Sequence, residues 1–549
     1  MRIKTTIVAT LMCMCLLPFE AEAKEKILFI PMDDRPVCMS YTVNSLKSAG
    51  WDIQTPPQEY IASYNRTGDP DKLYAWLEDN ALLATDAIVS SDSLIYGGLV
   101  ASRTHELSEQ VIDARTQRLL DFKKKFGLLR LYVFGTIMRS PKASSAPVEP
   151  SYYSKYGPQI FLMGALKDKQ EMGTISKKEA KELKEVLKVI PTEVQTDLYT
   201  RRKANLEVTK KLLDGVKGKA FDYFLLGKDD TAVNSDAHRD ARKIDSEMKS
   251  LPDWKIRFFA GADQLGLILL TRAVNKIEQT TPLVYTFYNE GVGEKTIPTY
   301  EDTVVKKTLR EHILAAGGFP ATISKNADLV LAVNTPENGL CLSATSPLNN
   351  GQLTGANKNF LNKVQGFVKS GKNVSIGDIA YSNGSDNALV SGLFATNVPT
   401  LPKKQGKENI GRPALTSELA WNLGAYAGWN TASNTLGYAI GQGILRPYMN
   451  ENEKNDLLAV RYLDEWVYQA HVRQDVRNDL IYKNQWVDGA LKPEQKAEAE
   501  AAISKDMVIF ASKYIAQDEL KRWKFTLPWS RMFEVNVSLK TCKTKVNNN

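Results

Sequence analysis

The chain has 549 residues, 43% of them hydrophobic, and a net charge of +8 at pH 7. A chain of this length and composition can bury a large core and can hold two or three domains, which excludes a disordered or purely fibrous protein. The basic excess is mild, and no run of Lys and Arg with interleaved aromatic residues occurs, so we expect no nucleic-acid partner.

The first 23 residues have the layout of a secretory signal peptide. Arg2 and Lys4 give a basic start, residues 7–19 form an apolar run, and residues 21–23 read AEA, a small-x-small cleavage site. The apolar run is short for a membrane span, which needs roughly 20 residues. We therefore expect a cleaved signal peptide (1–23) and a protein that is secreted or otherwise extracytoplasmic, rather than a lipoprotein, with no membrane span.

Three cysteines, Cys38, Cys341 and Cys542, remain after this cleavage. An odd number of cysteines cannot pair completely within one chain, and the wide spacings include no CxxC. The sequence therefore argues against a disulfide framework, and it leaves one bridge open without indicating its partners.

From residue 26 onwards one pattern recurs: an apolar, β-rich run ends in Asp, Asn, Gly or Pro, and an amphipathic helical pattern follows. Such runs predict strands at Lys26–Pro31, Trp51–Thr55, Asp86–Ser90, Arg130–Gly135, Asp222–Leu226, Lys255–Ala260, Leu283–Phe287, Asp328–Val333, Asn373–Ile376 and Leu423–Ala427. Near-continuous apolar strands that alternate with helices indicate an α/β protein with a parallel sheet covered on both faces.

The number of strands bears on the architecture. Eight strand-then-helix units are complete by residue 335, which is the number in a closed (β/α)8 barrel. Two further units follow, so a doubly wound, two-lobed sheet is the alternative. We expect a barrel-like core within an α/β domain of catalytic type at residues 24–450.

Two segments interrupt this pattern. Residues 140–215 are predicted to be a long insertion. It begins with a Pro-, Ser- and Tyr-rich loop at 140–156, beside a strand end, where long loops are often functional. Residues 451–549 are predicted to be a charged helical region with a strand-like run, FEVNVSL, at 533–539.

The candidate site residues follow the predicted strands. The carboxyl ends of parallel strands lie on one edge of the sheet, beside electropositive helix amino ends. The acidic residues at these ends are Asp33, Asp34, Asp92, Asp229, Asp230, Asp263, Glu290 and Asp378. Each one alone is better explained by a helix cap or a turn, and it is their accumulation that indicates a site.

Asp229 and Asp230 are the predicted catalytic residues. Adjacent carboxylates have different neighbours, so one can have a raised pKa while the other stays ionised. Glycoside hydrolysis uses two carboxyl groups set across a sugar bond. When the sugar carries an N-acetyl group, that group can act as the nucleophile while one carboxylate orients it.

The other candidates are predicted to bind the substrate. Trp429, Asn430 and Asn434 combine an aromatic face with carboxamides, a combination suited to sugars, although a Trp also fills a core. The remaining candidates are Asp33, Asp34, Arg35, Asp92, Tyr96, Arg139, Asp263, Gln264, Asn289 and Glu290.

Histidine is scarce, and the sequence has neither the HExxH spacing of zinc hydrolases nor a GxSxG elbow. GxGxxG and P-loop patterns are absent as well. We therefore predict no metal site and no cofactor, while an all-oxygen Mg²⁺ or Ca²⁺ site built from Asp residues stays open.

Five motifs occur in order between Lys26 and Gly437: FIPMDDRPV, SDSLIYGGLVASR, GKDDTA, GADQLG and GWNTASNTLG. Together they resemble the bacterial family catalogued as domain of unknown function 4127, and the family's name implies no activity. Members more often read Asp-Glu-Arg-Pro where this chain has residues 33–36, and Glu where it has Gln264. Because glutamine cannot ionise, we expect Gln264 to bind rather than to catalyse.

The sequence thus predicts an exported glycoside hydrolase that acts on N-acetylated or cell-wall sugars, with a small-molecule or glycan substrate. One alternative is a divalent-metal-dependent hydrolase of phosphoesters or amides, with ligands from Asp33, Asp34, Asp92 and Asp229. Another is a non-enzymatic extracytoplasmic carbohydrate-binding or envelope protein, in which the helical C-terminal region would be a partner surface.

Overall fold

The computed structural model describes residues 25–398, 418–484 and 490–540. The expected signal peptide and Cys542 lie outside these residues. Within them, Cys38 and Cys341 are both unpaired. Among the described helices, none is both long and apolar enough to cross a membrane.

Six parallel strands form a first sheet: β1 (Lys26–Ile30), β2 (Asp52–Gln54), β3 (Asp86–Ser90), β4 (Arg130–Ile137), β5 (Tyr223–Lys228) and β6 (Ile256–Ala260). Their order is β2-β1-β3-β4-β5-β6. Every residue of β3 is buried, because helices cover both faces of the sheet. This burial accounts for the near-continuous apolar runs in the sequence.

Ten helices accompany this sheet and complete the first lobe: α1 (Ser40–Ser48), α2 (Pro70–Ala81), α3 (Ser91–Ile95), α4 (Leu99–Thr104), α5 (Glu109–Lys125), α6 (Tyr153–Glu171), α7 (Lys177–Val189), α8 (Thr192–Lys217), α9 (Asp236–Met248) and α10 (Leu265–Ile277). Helices α6, α7 and α8 follow the loop after β4. They occupy most of the stretch that the sequence predicts to be an insertion.

The second lobe contains β7 (Leu283–Tyr288), β8 (Phe319–Ala321), β9 (Leu329–Asn334), β10 (Leu342–Ser343), β11 (Val374–Asp378), β12 (Tyr381–Ser382) and β13 (Ala425–Ala427). Its helices are α11 (Val305–Ala315), α12 (Gly355–Lys369), α13 (Asn387–Ala395) and α14 (Ala432–Leu445). Five of the strands form a parallel sheet in the order β13-β11-β9-β7-β8, and β10 pairs with β12.

The two sheets share one topology. Counted from its own first strand, each has the order 2-1-3-4-5, which the first sheet extends by a sixth strand. This is a doubly wound order, in which the strand order reverses beside the first strand.

The predicted parallel α/β class is confirmed, and all ten predicted strands are present. The expected barrel closure is not seen, because β7 does not pair with β6 and instead begins a second open sheet between β8 and β9. The two-lobed alternative is the arrangement found. The short strand β8, which contains a proline, was not predicted.

Helices α10 and α14 join the lobes in one hydrophobic core that also includes Phe29 of β1 and Leu331 of β9. The helices approach closely where Gly441 faces Leu267, since a Cβ at Gly441 would lie 2.8 Å from Leu267 Cγ. This packing brings the loop before α10 next to the loop before α14.

The C-terminal region consists of α15 (Glu451–Arg461), a π-helix (Tyr462–Val472), α16 (Arg473–Asn484), α17 (Pro493–Ala511), α18 (Gln517–Leu520), β14 (Trp523–Thr526) and β15 (Asn536–Leu539). β15 coincides with the strand-like run in the sequence and pairs antiparallel with β14, which was not predicted. The region returns to the first lobe at Tyr41, whose hydroxyl accepts from Val537 N at 2.9 Å.

Candidate functional site

A cavity of about 510 Å³ lies at the carboxyl ends of the first-lobe strands. Its walls include these strand ends, α4, the loop at 140–152, the loop between β13 and α14, and the C-terminal region. The lining residues include Arg35, Tyr64, Arg103, Arg139, Ser144, Val148, Asp229, Asp230, Asp263, Tyr300, Asn430, Asn434, Arg473, Arg477, Trp529, Arg531 and Phe533.

Seven of the predicted site residues line this cavity: Arg35, Arg139, Asp229, Asp230, Asp263, Asn430 and Asn434. Three others interact with lining residues from behind. Asp33 bonds to Arg35, Asp34 bonds to Trp529, and Asp92 interacts electrostatically with Asp229. The carboxyl ends of the parallel strands thus bring together acidic residues that are far apart in the sequence.

The acidic pair belongs to a ring of five charged residues, which we call the charge ring. Carboxylates and guanidinium groups alternate along it from Asp229 through Arg103, Glu149 and Arg139 to Asp230. Arg103 forms a salt bridge with Asp229 and lies 3.6 Å from Glu149 Oε1. Arg139 Nε donates to the same Glu149 oxygen at 2.5 Å, and its Nη1 donates to Asp230 Oδ2 at 3.0 Å. Since Asp229 and Asp230 are adjacent, the ring is complete.

Burial raises the pKa of Asp230 to about 6, and the charge of Asp229 adds to this effect. The guanidinium groups of Arg139 and Arg103 act in the opposite direction. Burial also raises the pKa of Asp92 to about 7, although the Thr136 hydroxyl, which donates to Asp92 Oδ2 at 3.0 Å, favours the ionised form. Two of these carboxyl groups can therefore hold a proton near neutral pH.

A second polar cluster joins the lobes at the cavity wall. Arg35 Nε lies 3.0 Å from both oxygens of Asp33, and its Nη2 donates to Asp263 Oδ1 at 2.7 Å. Asn430 and Asn434, from the second lobe, donate to Asp263 Oδ2 at 3.2 and 3.4 Å. Asp263 is thus fixed from both sides.

The two tryptophans near the site have different places. Trp429 is buried in the shared core and packs on Phe533, with ring centroids 5.9 Å apart. Trp529 lines the cavity, and the guanidinium carbons of Arg35 and Arg531 lie 5.2 and 4.6 Å from its ring centroid. Both indoles are nearly fully buried, and of the two it is Trp529 that borders the cavity.

The other predicted residues lie away from the cavity. Tyr96 is buried against His105, and Gln264 is buried with its Nε2 2.9 Å from His312 Nε2. Asn289 and Glu290 lie at the end of β7 in the second lobe, and Asn289 borders a separate cavity of about 450 Å³.

Sequence reasoning missed Arg103, Glu149, Trp529 and Arg531. Arg103 ends the motif SDSLIYGGLVASR, and Glu149 lies in the loop that was expected to be functional. Trp529 and Arg531 lie in the C-terminal region. The charged residues of that loop and at the end of that motif were the sequence signal for Glu149 and Arg103.

The proposed metal ligands have separate partners. Asp33, Asp34, Asp92 and Asp229 accept hydrogen bonds from Arg35, Trp529, Thr136 and Arg103, respectively. Within the described ranges, no group of three or more His, Cys, Asp or Glu residues is arranged to hold a metal ion.

A family model described as a protein of unknown function (DUF4127) matches residues 27–538, nearly the whole chain. No curated protein and no solved structure matches the chain.

Proposed function

The chain belongs to the DUF4127 family, whose description assigns no activity, and we propose from its cavity that it is an exported glycoside hydrolase. The observation that carries this proposal is the charge ring, which holds two adjacent carboxyl groups in the wall of a cavity large enough for a sugar. The resemblance inferred from the five motifs is confirmed, and the activity rests on geometry.

Asp230 is the general acid in this proposal. Its raised pKa, about 6, lets it keep a proton in mildly acidic to neutral solution, as protonation of a leaving group requires. Its side chain retains 26% exposure, so it can reach a ligand. Asp229, which pairs with Arg103, is the orienting carboxylate.

The reaction would use an N-acetylated sugar. Asp229 accepts a hydrogen bond from the acetamide N–H and so orients the acetamide group. The acetamide oxygen attacks the anomeric carbon and forms a cyclic intermediate, while the glycosidic bond breaks and Asp230 protonates the leaving oxygen. Water then attacks the anomeric carbon and loses a proton to Asp230. This attack opens the cyclic intermediate and restores the acetamide group. Asp263, Asn430 and Asn434 would bind sugar hydroxyls, and Trp529 would face the ring.

The test is a hydrolysis screen with aryl glycosides, including N-acetylhexosaminides, with and without EDTA. The wild type is compared with Asp229→Asn and Asp230→Asn. The matched control is Asp214→Asn, which removes an exposed carboxylate on α8 that pairs only with its own helix at Lys217. We expect EDTA-resistant turnover in the wild type and the control, and on alkyl glycosides a loss of at least about 100-fold in each site variant.

Substrates with activated phenol leaving groups separate the two roles, since they need little help from an acid. We expect Asp230→Asn to be less impaired on these substrates than on alkyl glycosides, and Asp229→Asn to be impaired on both. Full activity of Asp230→Asn on an alkyl glycoside would contradict the assignment. Turnover abolished by EDTA would favour the metal hydrolase instead.

A further inference from the structure

The cavity walls differ in charge. The first-lobe wall contributes Asp229, Asp230 and Asp263, together with the arginines that pair with them. A second wall comes from the C-terminal region and contributes Arg473, Arg477 and Arg531. Three guanidinium groups of this region thus line the same cavity as the acidic pair.

We propose, on the basis of the glycosidase function above, that the substrate is an acidic glycan whose anionic group is bound by Arg473, Arg477 and Arg531. A carboxylate on the sugar is the leading source of this charge, and a sulfate or phosphate ester would present the same chemistry.

The three guanidinium groups are held close together. Arg473 and Arg477 lie one turn apart on α16, so their side chains occupy one face of the helix. Arg473 and Arg531 lie 5.7 and 5.2 Å from the ring centroid of Phe533, and Arg473 Nη1 donates to Phe533 O at 3.3 Å. An anion bound beside these guanidinium groups would be attracted by each of them.

Arg531 is the fixed member of the group. Its Nε and Nη2 donate to the buried carboxylate of Glu534 at 2.8 and 2.7 Å, and its guanidinium stacks on Trp529. The pairing with Glu534 partly offsets the charge and fixes the plane of the guanidinium. A planar guanidinium held in place suits bidentate recognition of a carboxylate or a phosphate.

The indole of Trp529 connects the two walls. It contacts Arg531 on the basic side and Arg35 on the acidic side, where Arg35 pairs with Asp263. A sugar ring against Trp529 would therefore present one end to the acids and the other to the arginines. This orientation places the anionic group away from Asp229 and Asp230, where like charges would repel it.

The experiment is a glycan array probed with the purified full chain. The array carries neutral, uronic acid-containing, sulfated and phosphorylated oligosaccharides, which distinguish the sources of the charge. The best ligand is then titrated calorimetrically with the inactive Asp230→Asn protein at two ionic strengths. We expect acidic glycans to dominate, with affinity falling as salt screens the charges.

The variants are Arg473→Gln/Arg477→Gln and Arg473→Lys/Arg477→Lys, with Arg310→Gln as the control for the removal of a surface arginine. Arg310 lies on α11 with 63% of its side chain exposed. We expect a loss of about tenfold or more in the Gln pair, partial recovery in the Lys pair and no change in the control. Circular dichroism verifies folding.

The outcomes separate this inference from the function on which it rests. Binding confined to neutral glycans, binding to no glycan, or equal binding by the Gln pair would overturn the acidic ligand. Binding of acidic glycans without hydrolysis would contradict the glycosidase and leave the ligand class standing. Hydrolysis of neutral glycans alone would contradict the acidic ligand and leave the glycosidase function standing.

Discussion

Trp529 donates its indole N–H to Asp34 Oδ1 at 2.7 Å, although the two residues lie 495 positions apart. Asp34 follows the first strand, and Trp529 precedes the last one. This hydrogen bond fixes the C-terminal region to the first lobe at the edge of the cavity.

Trp529→Phe should test that bond, since phenylalanine keeps an aromatic ring but has no N–H. We expect the free energy of unfolding in urea titrations to fall by more than the about 1 kcal/mol of one hydrogen bond, because Trp529 is buried and the smaller ring also leaves space unfilled. Trp254→Phe is the control, because Trp254 is 67% exposed. Equal unfolding curves for Trp529→Phe and the wild type would show that the bond contributes nothing.

Glu149→Gln should shift the pH profile of activity. Glu149 partly neutralises Arg103 and Arg139. These two arginines lower the pKa of Asp230, while the charges of Asp229 and Asp263 raise it. Without its charge, the arginines stabilise ionised Asp230 more strongly and lower its pKa. A general acid must be protonated, so the alkaline limb of kcat/KM should move down by about one pH unit.

Glu149→Asp keeps the charge and serves as the control, with an alkaline limb at the wild-type position. A merely structural role for Glu149 would lower the activity of Glu149→Gln at all pH values without moving the limb. That result would contradict the electrostatic role.

Asp92→Asn should stabilise the protein at high pH only. The folded-state pKa of Asp92 is about 7, above the ordinary value of about 4, so the folded state holds a proton that the unfolded state releases. Stability is therefore lost as the pH rises from about 4 to about 7. Asparagine removes this loss, and we expect a gain of about 2–4 kcal/mol at pH 8 and little at pH 4.5.

Urea unfolding of Asp92→Asn and the wild type at both pH values measures the difference, and other titrating groups cancel. Asp214→Asn should give a difference that does not vary with pH. A gain at pH 4.5 as large as that at pH 8 would show that burial of the charge is not the cause.

Gly261→Ala should be strongly destabilising. Gly261 has φ +98°, and a Cβ there would lie 2.3 Å from Gln264 Nε2 and 2.8 Å from Ser433 Cβ. Gly173→Ala is the control, because Gly173 has φ +71° and nothing within 4 Å. We expect Gly173→Ala to lower the free energy of unfolding by about 1 kcal/mol, from backbone strain alone. Gly261→Ala should lower it by at least about 2 kcal/mol. Equal losses would show that the neighbours of Gly261 yield.

The strands could be predicted from the sequence, and their division into two sheets could not. A fully buried strand such as β3, DAIVS, has consecutive apolar residues at its centre and no alternation with polar ones, whichever sheet contains it. The choice between one barrel and two sheets depends on whether β6 pairs with β7, a contact between segments that local patterns do not specify. β8 has three residues, too few to show a period.

The candidate site shows the same division. Asp229, Asp230 and Asp263 follow strands, so the topology of parallel sheets places them at one edge. Glu149 lies in a loop without periodicity, and Arg531 lies in a region that packs on the second lobe, so only tertiary structure brings them to the acids. Trp429 and Trp529 differ in burial environment rather than in any local pattern.

The placement of Trp529 and Arg531 has a consequence for biosynthesis. Strands of the first lobe can form while the chain is still being made, but one wall of the cavity includes Trp529, Arg531 and Phe533, which are synthesised after both sheets. The cavity is therefore completed only after residue 533 has been synthesised. Nascent or truncated chains that end before residue 529 would lack that part of the wall.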